Sequence, residues 1–253
     1  DSTSFMREWL SLVESGTGER GIFNRQAAKT QAAKNGRRDA SYEFGTNPCS
    51  EIILRPYQFC NLSEVVIRST DTEQDLERKV AIATILGTLQ STYTKFPYLR
   101  KIWEENTNEE RLLGVSLTGI MDNPLTTTAN PDLQGLLERL RAVSVEVNAQ
   151  WAAKLGVAVS TAITAVKPSG TVSQLVNSAS GIHARHSEYY IRTVRGAYND
   201  PLTEFMKDQG IPWEPCAHQP DTTVVFSFPQ KSPKQAVLTE NTTAIEQLDT
   251  WLA

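Results

Sequence analysis

The chain has 253 residues, 40% of them hydrophobic and 21% charged, and its formal net charge is −4. These values are ordinary for a soluble globular protein, and the length suits one large α/β domain or two small ones. The negative charge argues against a general affinity for nucleic acids or anionic membranes, so a small anionic ligand would need a local site.

The sequence carries no signal for export or for membrane insertion. No apolar run approaches the roughly 18 residues that a membrane-spanning helix needs. The first residues, Asp1-Ser2-Thr3-Ser4-Phe5, lack the basic and apolar regions of an export signal. Three cysteines, an odd number in a chain of this length, argue against a disulfide scaffold. These features predict a protein of the reducing cytoplasm.

Hydrophobic periodicity predicts that helices alternate with strands along most of the chain. The predicted helices span residues 4–14, 25–34, 72–95, 131–155, 172–176 and 241–253. The predicted strands span residues 111–118, 160–166, 189–194 and 222–228. Residues 47–67 are predicted to be extended and turn-like, with Cys49 on a loop or a short strand. Strands that alternate with helices imply an α/β fold with a mainly parallel sheet or a barrel.

Capping residues mark the ends of the two longest predicted helices. Thr72 and Asp75 resemble a capping box at the start of the first. Asn130 caps the second, Pro131 suits its first turn, and Gly156 lies just past its end. The helices at the two edges of the chain lack an initiator Met or a final cap. We therefore expect the chain to be cut from a longer protein.

The most informative segment is Asn47-Pro48-Cys49-Ser50-Glu51-Ile52, which places an amide, a thiol and a carboxylate at alternate positions. Side chains at i, i+2 and i+4 point the same way in an extended segment, so all three could face one small ligand. A lone cysteine is more often a small buried hydrophobe, but a core strand would hardly flank it with Asn47 and Glu51. A hydrogen-bonding amide, a sulfur able to carry a radical and a base together suit chemistry on a sugar carbon that carries hydroxyls.

The remaining cysteines and histidines do not form a metal-binding pattern. Cys60 follows Cys49 at a spacing that matches neither a zinc site nor a thioredoxin-like pair. His183 and His186 flank Arg185, but no Asp, Glu or Cys cluster joins them, so we predict loop hydrogen bonds or a secondary anion contact there. Cys216 is predicted to lie in a loop without an assigned task.

A second candidate site is the turn Lys167-Pro168-Ser169-Gly170-Thr171-Val172-Ser173. A strand that ends in such a turn and opens a helix leaves N–H groups and the positive helix end pointing outward, which favours phosphate. The alternative is an ordinary turn in which Ser, Gly and Thr serve only as caps, and the residues by themselves favour that alternative. The glycine and lysine pattern is not that of a Walker loop.

Three motifs, at residues 47–52, 59–65 and 167–173, together resemble the large catalytic chain of ribonucleotide reductases. Their sequences are Asn-Pro-Cys-Ser-Glu-Ile, Phe-Cys-Asn-Leu-Ser-Glu-Val and Lys-Pro-Ser-Gly-Thr-Val-Ser. The short interval between the first two thiols is similar to the adenosylcobalamin-dependent class II enzymes, especially the monomeric ribonucleoside-triphosphate reductases. Segments 111–122 and 189–195 support the resemblance, which runs from about Gly18 to the end of the chain.

The resemblance implies that residues 1–253 are part of a ten-stranded α/β barrel, a catalytic domain with a finger loop through its centre. It implies that Cys49 becomes a thiyl radical when a deoxyadenosyl radical from adenosylcobalamin takes its hydrogen, and that this thiyl removes the ribose 3′ hydrogen. Glu51 would take the 3′-hydroxyl proton, Asn47 would hold the sugar hydroxyls, and Cys60 would be one member of the reducing dithiol. The implied phosphate-binding residues are Ser169, Gly170, Thr171, Val172 and Ser173.

The resemblance also implies partners, and this chain departs from the family's pattern at several positions. The substrate would be a ribonucleoside triphosphate, a thioredoxin-like protein would renew the dithiol, and a dNTP effector would bind outside this chain. No cysteine precedes Cys49, and Cys216 does not match the family's partner of Cys60. Arg20 stands where the family usually has proline. We therefore expect this chain by itself to be inactive.

Three other interpretations of the same motifs are open. One is a class I ribonucleoside-diphosphate reductase, which receives its radical from a di-iron or di-manganese partner; a tyrosine pair near the end of the full-length protein would favour it. Another is a thiyl enzyme driven by a glycyl radical. The last is a nucleotide-binding fragment without activity, which would bind nucleotide but not reduce it.

Overall fold

The computed structural model describes residues 1–18 and 21–252, so the expected variation at Arg20 lies outside the described residues. The helices are α1 (Ser2–Ser15), α2 (Arg25–Ala33), α3 (Glu73–Gln90), α4 (Lys101–Glu110), α5 (Leu133–Leu155), α6 (Thr171–Leu175), α7 (Pro201–Asp208) and α8 (Ala244–Leu252). The strands are β1 (Gly45–Thr46), β2 (Ile53–Leu54), β3 (Asn61–Val66), β4 (Leu113–Thr118), β5 (Tyr189–Ala197), β6 (Trp213–Pro215) and β7 (Thr223–Lys231). None of the described helices has the length and apolar character needed to cross a membrane.

The chain divides into two compact units. Unit 1 comprises Asp1–Ser63, Ile82–Val115 and Ser144–Ala165. Unit 2 comprises Glu64–Ala81, Ser116–Val143 and the chain from Val166 onward. Each unit contains its own candidate residues.

A parallel arrangement of extended segments lies in unit 1. The N–H of Asn61 donates to the carbonyl of Leu112 (2.9 Å), which places the start of β3 beside the start of β4. On the other side of β4, the N–H of Val115 donates to Ile163 O (2.8 Å), and the N–H of Ala165 donates back to Val115 O (3.0 Å). The predicted strand at residues 160–166 is therefore an extended segment with one parallel bridge rather than a full strand.

The core of unit 1 combines close apolar packing with one buried amide. A Cβ atom on Gly87 of α3 would overlap the side chain of Leu113, so glycine allows this helix to approach β4 closely. Buried Asn148 of α5 donates to Thr88 Oγ1 and to Ser160 Oγ (both 3.0 Å) and accepts the Ser160 N–H (2.9 Å). These three bonds tie two helices to the extended segment, because a buried amide must find partners.

Unit 2 contains a three-stranded sheet whose strands run antiparallel in the order β5-β7-β6. Val224 and Phe226 of β7 are fully buried, while their neighbours in the strand are partly exposed, as expected for a sheet with one covered face. The β1–β2 pair is also antiparallel. The prediction of a mainly parallel sheet is therefore wrong for the β5-β7-β6 sheet, because the turn after β6 returns the chain as a hairpin, whereas β3 and β4 are parallel.

The predicted helix ends are correct to within a few residues. The capping box is confirmed, since Thr72 Oγ1 accepts the Asp75 N–H (3.3 Å) while Asp75 Oδ2 accepts the Thr72 N–H (3.1 Å). The helix stops at Gln90 rather than residue 95, where the Ser91 hydroxyl donates back to Thr88 O (2.7 Å). Helix α5 begins two residues later than predicted, because the Asn130 side chain caps a preceding turn instead, and Gly156 has the expected left-handed φ of 67°.

Candidate functional site

Residues 47–52, here called the Cys49 loop, connect β1 to β2 at the tip of an antiparallel hairpin in unit 1. Asn47 organises the loop: its N–H donates to Ile52 O (3.3 Å), its Oδ1 accepts the Ile52 N–H (3.0 Å), and its carbonyl accepts the Ser50 N–H (3.0 Å). Ser50 has a φ of 65°, which turns the backbone sharply just after Cys49. The loop is therefore closed by its own hydrogen bonds.

The predicted loop position of Cys49 is confirmed, but the alternation argument that singled it out is wrong. The segment is a tight turn rather than an extended strand, so the i, i+2, i+4 rule does not apply to Asn47, Cys49 and Glu51. The turn nevertheless keeps all three side chains within one six-residue loop. The Cys49 thiol is free and exposed, while Asn47 and Glu51 are half-buried.

Gly114 is the point of β4 at which the Cys49 loop and Cys60 converge. A Cβ atom there would lie 2.5 Å from Leu62 Cδ2, 3.4 Å from Ile52 Cδ1 and 3.8 Å from Cys60 Sγ. Ile52 ends the Cys49 loop and Cys60 directly precedes β3, so the two segments meet over this one backbone position. Sequence reasoning missed Gly114, although an isolated glycine within an apolar strand is a recognised sign of close backbone approach.

A buried cluster of charged and amide groups contacts β2, the strand that leaves the Cys49 loop. We call it the Glu110 cluster, and it was not predicted from the sequence. Arg38 pairs with both carboxylate oxygens of Glu110 (2.9 Å each), and both side chains are almost fully buried. Gln58 Nε2 donates to Glu110 Oε2 (2.5 Å), and Gln58 Oε1 accepts from Arg38 Nη2 (3.1 Å). Arg38 Nη1 also donates to the carbonyl of Ile53 in β2 (2.8 Å).

Arg55, just after β2, extends this cluster toward the surface. Its backbone N–H donates to Gln58 Oε1 (2.9 Å), its guanidinium donates to Glu109 Oε2 (2.9 Å), and it stacks on the Tyr42 ring at 4.1 Å. Burial lowers the pKa of Arg55, but the hydrogen bond to Glu109 and the charge of Glu110 outweigh it, so the pKa is raised overall. The hydrogen bond from Arg55 is also the largest cause of the lowered pKa of Glu109.

The predicted phosphate turn, residues 169–173, lies in unit 2 and opens α6 as expected. Ser169 and Ser173 are buried and bond within the turn: Ser169 Oγ accepts the Ser173 N–H (3.2 Å), and the Ser173 hydroxyl donates to Gly170 O (2.8 Å). Gly170, Thr171 and Val172 are exposed. The accessible part of the turn is therefore its middle, while the two serines shape it.

A buried ion pair anchors the segment that follows this turn. Arg185 donates to both oxygens of Asp122 (2.8 Å each), to Asn177 Oδ1 (3.1 Å) and to the Tyr190 hydroxyl (3.0 Å). Asp122 Oδ2 also accepts the Ala179 N–H (2.8 Å). Burial lowers the pKa of Arg185, yet the hydrogen bond and charge of Asp122 outweigh it and raise the pKa overall. Two alternatives were predicted for this segment, loop hydrogen bonds or a secondary anion contact; the structure favours the first, because this guanidinium is committed to an internal carboxylate.

The remaining candidates for metal or redox chemistry are His183, His186 and Cys216. His183 and His186 make only local hydrogen bonds, to Ser180 O and the Ser187 hydroxyl. No group of three His, Cys, Asp or Glu residues able to hold a metal occurs within residues 1–18 and 21–252. Cys216 is buried just after β6, and hydrogen bonds from the backbone of His218 and Gln219 lower the pKa of its thiol.

Comparison with known proteins identifies similar chains. No protein-family model matches this one. It is 30% identical to the adenosylcobalamin-dependent ribonucleoside-triphosphate reductase of Euglena gracilis, over 90% of this chain and 30% of that protein. Relatives with the same name in Lactobacillus gasseri and Lactobacillus leichmannii are also 30% identical, over 85% and 74% of this chain and 32% and 28% of their own lengths.

The crystal structure of a B12-dependent, class II ribonucleotide reductase is similar in fold, with a TM-score of 0.67 and 26% identity over 81% of this chain and 32% of that one. These comparisons confirm the resemblance to the class II ribonucleotide reductases that the motifs predicted. They also confirm the α/β class, whereas the ten-stranded barrel stays a prediction. The chain spans about a third of the length of the curated relatives it matches.

The close approach at Gly114 predicts a specific coupling with Leu62. Gly114→Ala should lower the free energy of unfolding by about 1 kcal/mol, because the new methyl group collides with the Leu62 side chain. In the double variant with Leu62→Ala the collision disappears, so chemical denaturation should show a coupling of about 1 kcal/mol between the two changes. Additive effects would show that the two positions are not in contact.

The Asp122–Arg185 pair predicts a large stability loss from a small change. Asp122→Asn keeps the side-chain shape but leaves a buried guanidinium without its counter-charge, and we expect urea unfolding to show a loss of about 3 kcal/mol. Asp132→Asn is the matched control, since Asp132 pairs with Arg139 at the exposed surface and should cost below about 0.5 kcal/mol. Equal losses in the two variants would contradict a special role for the buried pair.

Proposed function

We propose that this chain carries the central part of the catalytic domain of an adenosylcobalamin-dependent ribonucleoside-triphosphate reductase, which reduces ribonucleoside triphosphates to 2′-deoxyribonucleoside triphosphates for DNA synthesis. The observation that carries the proposal is the Cys49 loop: a free, exposed thiol shares a closed loop with an amide and a carboxylate, and the loop meets Cys60 over Gly114. The names of the relatives favour this class over a class I enzyme.

Cys49 is the group that reacts first in this proposal. Its exposure at a hairpin tip fits a thiol that must meet a radical generated outside the protein's own side chains. Adenosylcobalamin, when bound, would supply a carbon-centred radical, and Cys49 would give up the hydrogen atom of its thiol to that radical. The resulting thiyl radical takes the 3′ hydrogen atom of the ribose, so the S–H bond re-forms as the C–H bond breaks.

Asn47 and Glu51 prepare the sugar for loss of its 2′-hydroxyl. Glu51 takes the proton of the 3′-hydroxyl, which builds electron density next to the carbon that loses water. The Oδ1 atom of Asn47 already accepts the Ile52 N–H, so its amide NH₂ is the group assigned to the sugar hydroxyls. The same residue that closes the loop thereby orients the substrate.

Cys60 supplies one of the two thiols that reduce the sugar. Two electrons and two protons are needed as the 2′-hydroxyl leaves as water, and a dithiol provides both when it becomes a disulfide. The second thiol comes from another part of the full-length protein, and a thioredoxin-like protein then reduces the disulfide. Cys216 belongs to unit 2, is buried, and has no part in this scheme.

The triphosphate is assigned to residues 169–173. The exposed middle of the turn, Gly170 to Val172, offers backbone N–H groups at the start of α6, whereas Ser169 and Ser173 hold the turn in shape. We assign the domain to a ten-stranded α/β barrel in which the Cys49 loop is the central finger, the dNTP effector to a site outside this chain, and the protein to the cytoplasm.

The central test replaces the Cys49 sulfur. In the full-length protein supplied with adenosylcobalamin, a dithiol reductant and a ribonucleoside triphosphate, Cys49→Ser should abolish dNTP formation, because a serine hydroxyl cannot form the required radical under these conditions. Cys216→Ser is the matched control and should retain full activity. Product formation by the Cys49→Ser protein would refute the proposed role of this residue.

A further inference from the structure

The Cys49 loop makes its own hydrogen bonds, but its position relative to the rest of unit 1 depends on β2, the strand that leaves it. Strand β2 has only two residues, Ile53 and Leu54, and it pairs with an equally short β1. An isolated pair of this length has little stability of its own. Something else in unit 1 must therefore hold the hairpin in place.

The Glu110 cluster reaches the hairpin at two backbone points. Arg38 Nη1 donates to the Ile53 carbonyl (2.8 Å), directly after the last residue of the Cys49 loop. Gln58 Oε1 accepts the backbone N–H of Arg55 (2.9 Å), just after β2. Both side chains are bonded in turn to Glu110 at the end of α4. The strand and the residue that follows it are thus both connected to one buried carboxylate.

We propose that Arg38, fixed by Glu110 and Gln58, is a positioning residue that holds the Cys49 loop in the geometry its chemistry requires. The role rests on the proposed function, and it explains why a costly buried charge pair is placed beside a two-residue strand. The guanidinium is suited to this task, because its rigid fork can satisfy the two oxygens of Glu110 while another N–H reaches the backbone of β2.

The Arg38→Lys variant distinguishes charge pairing with Glu110 from positioning of the loop. Arg38→Lys keeps a positive charge for Glu110 but cannot pair bidentately and also reach the Ile53 carbonyl. Arg139→Lys is the matched control, because Arg139 also contacts two carboxylates, Glu73 (2.6 Å) and Asp132 (3.0 Å), but at the exposed surface of unit 2. Both variants conserve net charge.

Amide hydrogen exchange of the complete protein measures the effect without any cofactor or substrate. In Arg38→Lys, we expect the N–H groups of Asn47, Ser50 and Ile52 to exchange about tenfold faster, while those of the β5–β7 pair stay unchanged. Arg139→Lys should change neither set. A purely structural role for Arg38 would accelerate exchange throughout the molecule, and unchanged exchange in the loop would overturn the proposal.

Steady-state kinetics of the same variants tests the consequence for catalysis. Displacement of the thiol should lower kcat about 100-fold and leave KM within about twofold, since the triphosphate is assigned to a separate turn. Faster loop exchange with an unchanged kcat would overturn the positioning role. If Cys49→Ser remained active, the reductase proposal would fail while the exchange result stood, so the two failures are distinguishable.

A second variant covers the case in which Arg38→Lys does not fold. Gln58→Met carries no charge change and is similar in size, yet it removes the acceptor of the Arg55 N–H and one partner of Arg38. Cooperative thermal unfolding would establish that it is folded. We expect the same three loop amides to exchange faster, and unchanged exchange there would overturn the proposal.

Discussion

The carboxylate of Glu110 is the constraint on which the candidate site in unit 1 depends. A charge removed from water is very costly unless it is paired and hydrogen-bonded, so this side chain must collect donors around it. Arg38 and Gln58 meet that demand, and they reach Glu110 from segments that flank the Cys49 hairpin. The requirement to neutralise one buried group thereby fixes where a reactive loop is placed.

Local signals in the sequence predicted the parts of the fold that depend on neighbouring residues. The capping box at Thr72, the left-handed glycine after α5 and the turn that opens α6 are each determined by a few adjacent side chains. The position of Cys49 in a loop was predicted for an incomplete reason. The alternation argument treats Asn47, Cys49 and Glu51 as part of an extended segment, whereas Ser50 with positive φ closes a turn.

Features set by distant residues were not predictable in the same way. Arg38 and Glu110 are far apart in sequence, and an arginine in a basic, glycine-rich stretch gives no sign that it will be buried. The burial and ion pair of Arg185 are not predictable for the same reason, since its partner Asp122 lies in another element. The direction of β7 relative to β5 also depends on the hairpin turn between β6 and β7 rather than on periodicity, which is identical in parallel and antiparallel strands.

The Cys49 hairpin and the segment that follows the turn at residues 169–173 are held by the same kind of interaction, although they lie in separate units. In each, an arginine pairs bidentately with a buried carboxylate and uses its remaining N–H groups on polar atoms of a nearby segment: Arg38 on Ile53 O, and Arg185 on Asn177. Such pairs contribute little net stability compared with well-packed apolar residues, but removing one partner is severely destabilising. What these ion pairs contribute is a fixed direction for their hydrogen bonds. A fixed fork of donors defines the position of a backbone segment, which apolar packing alone specifies less sharply, and reactive groups on short loops need that definition.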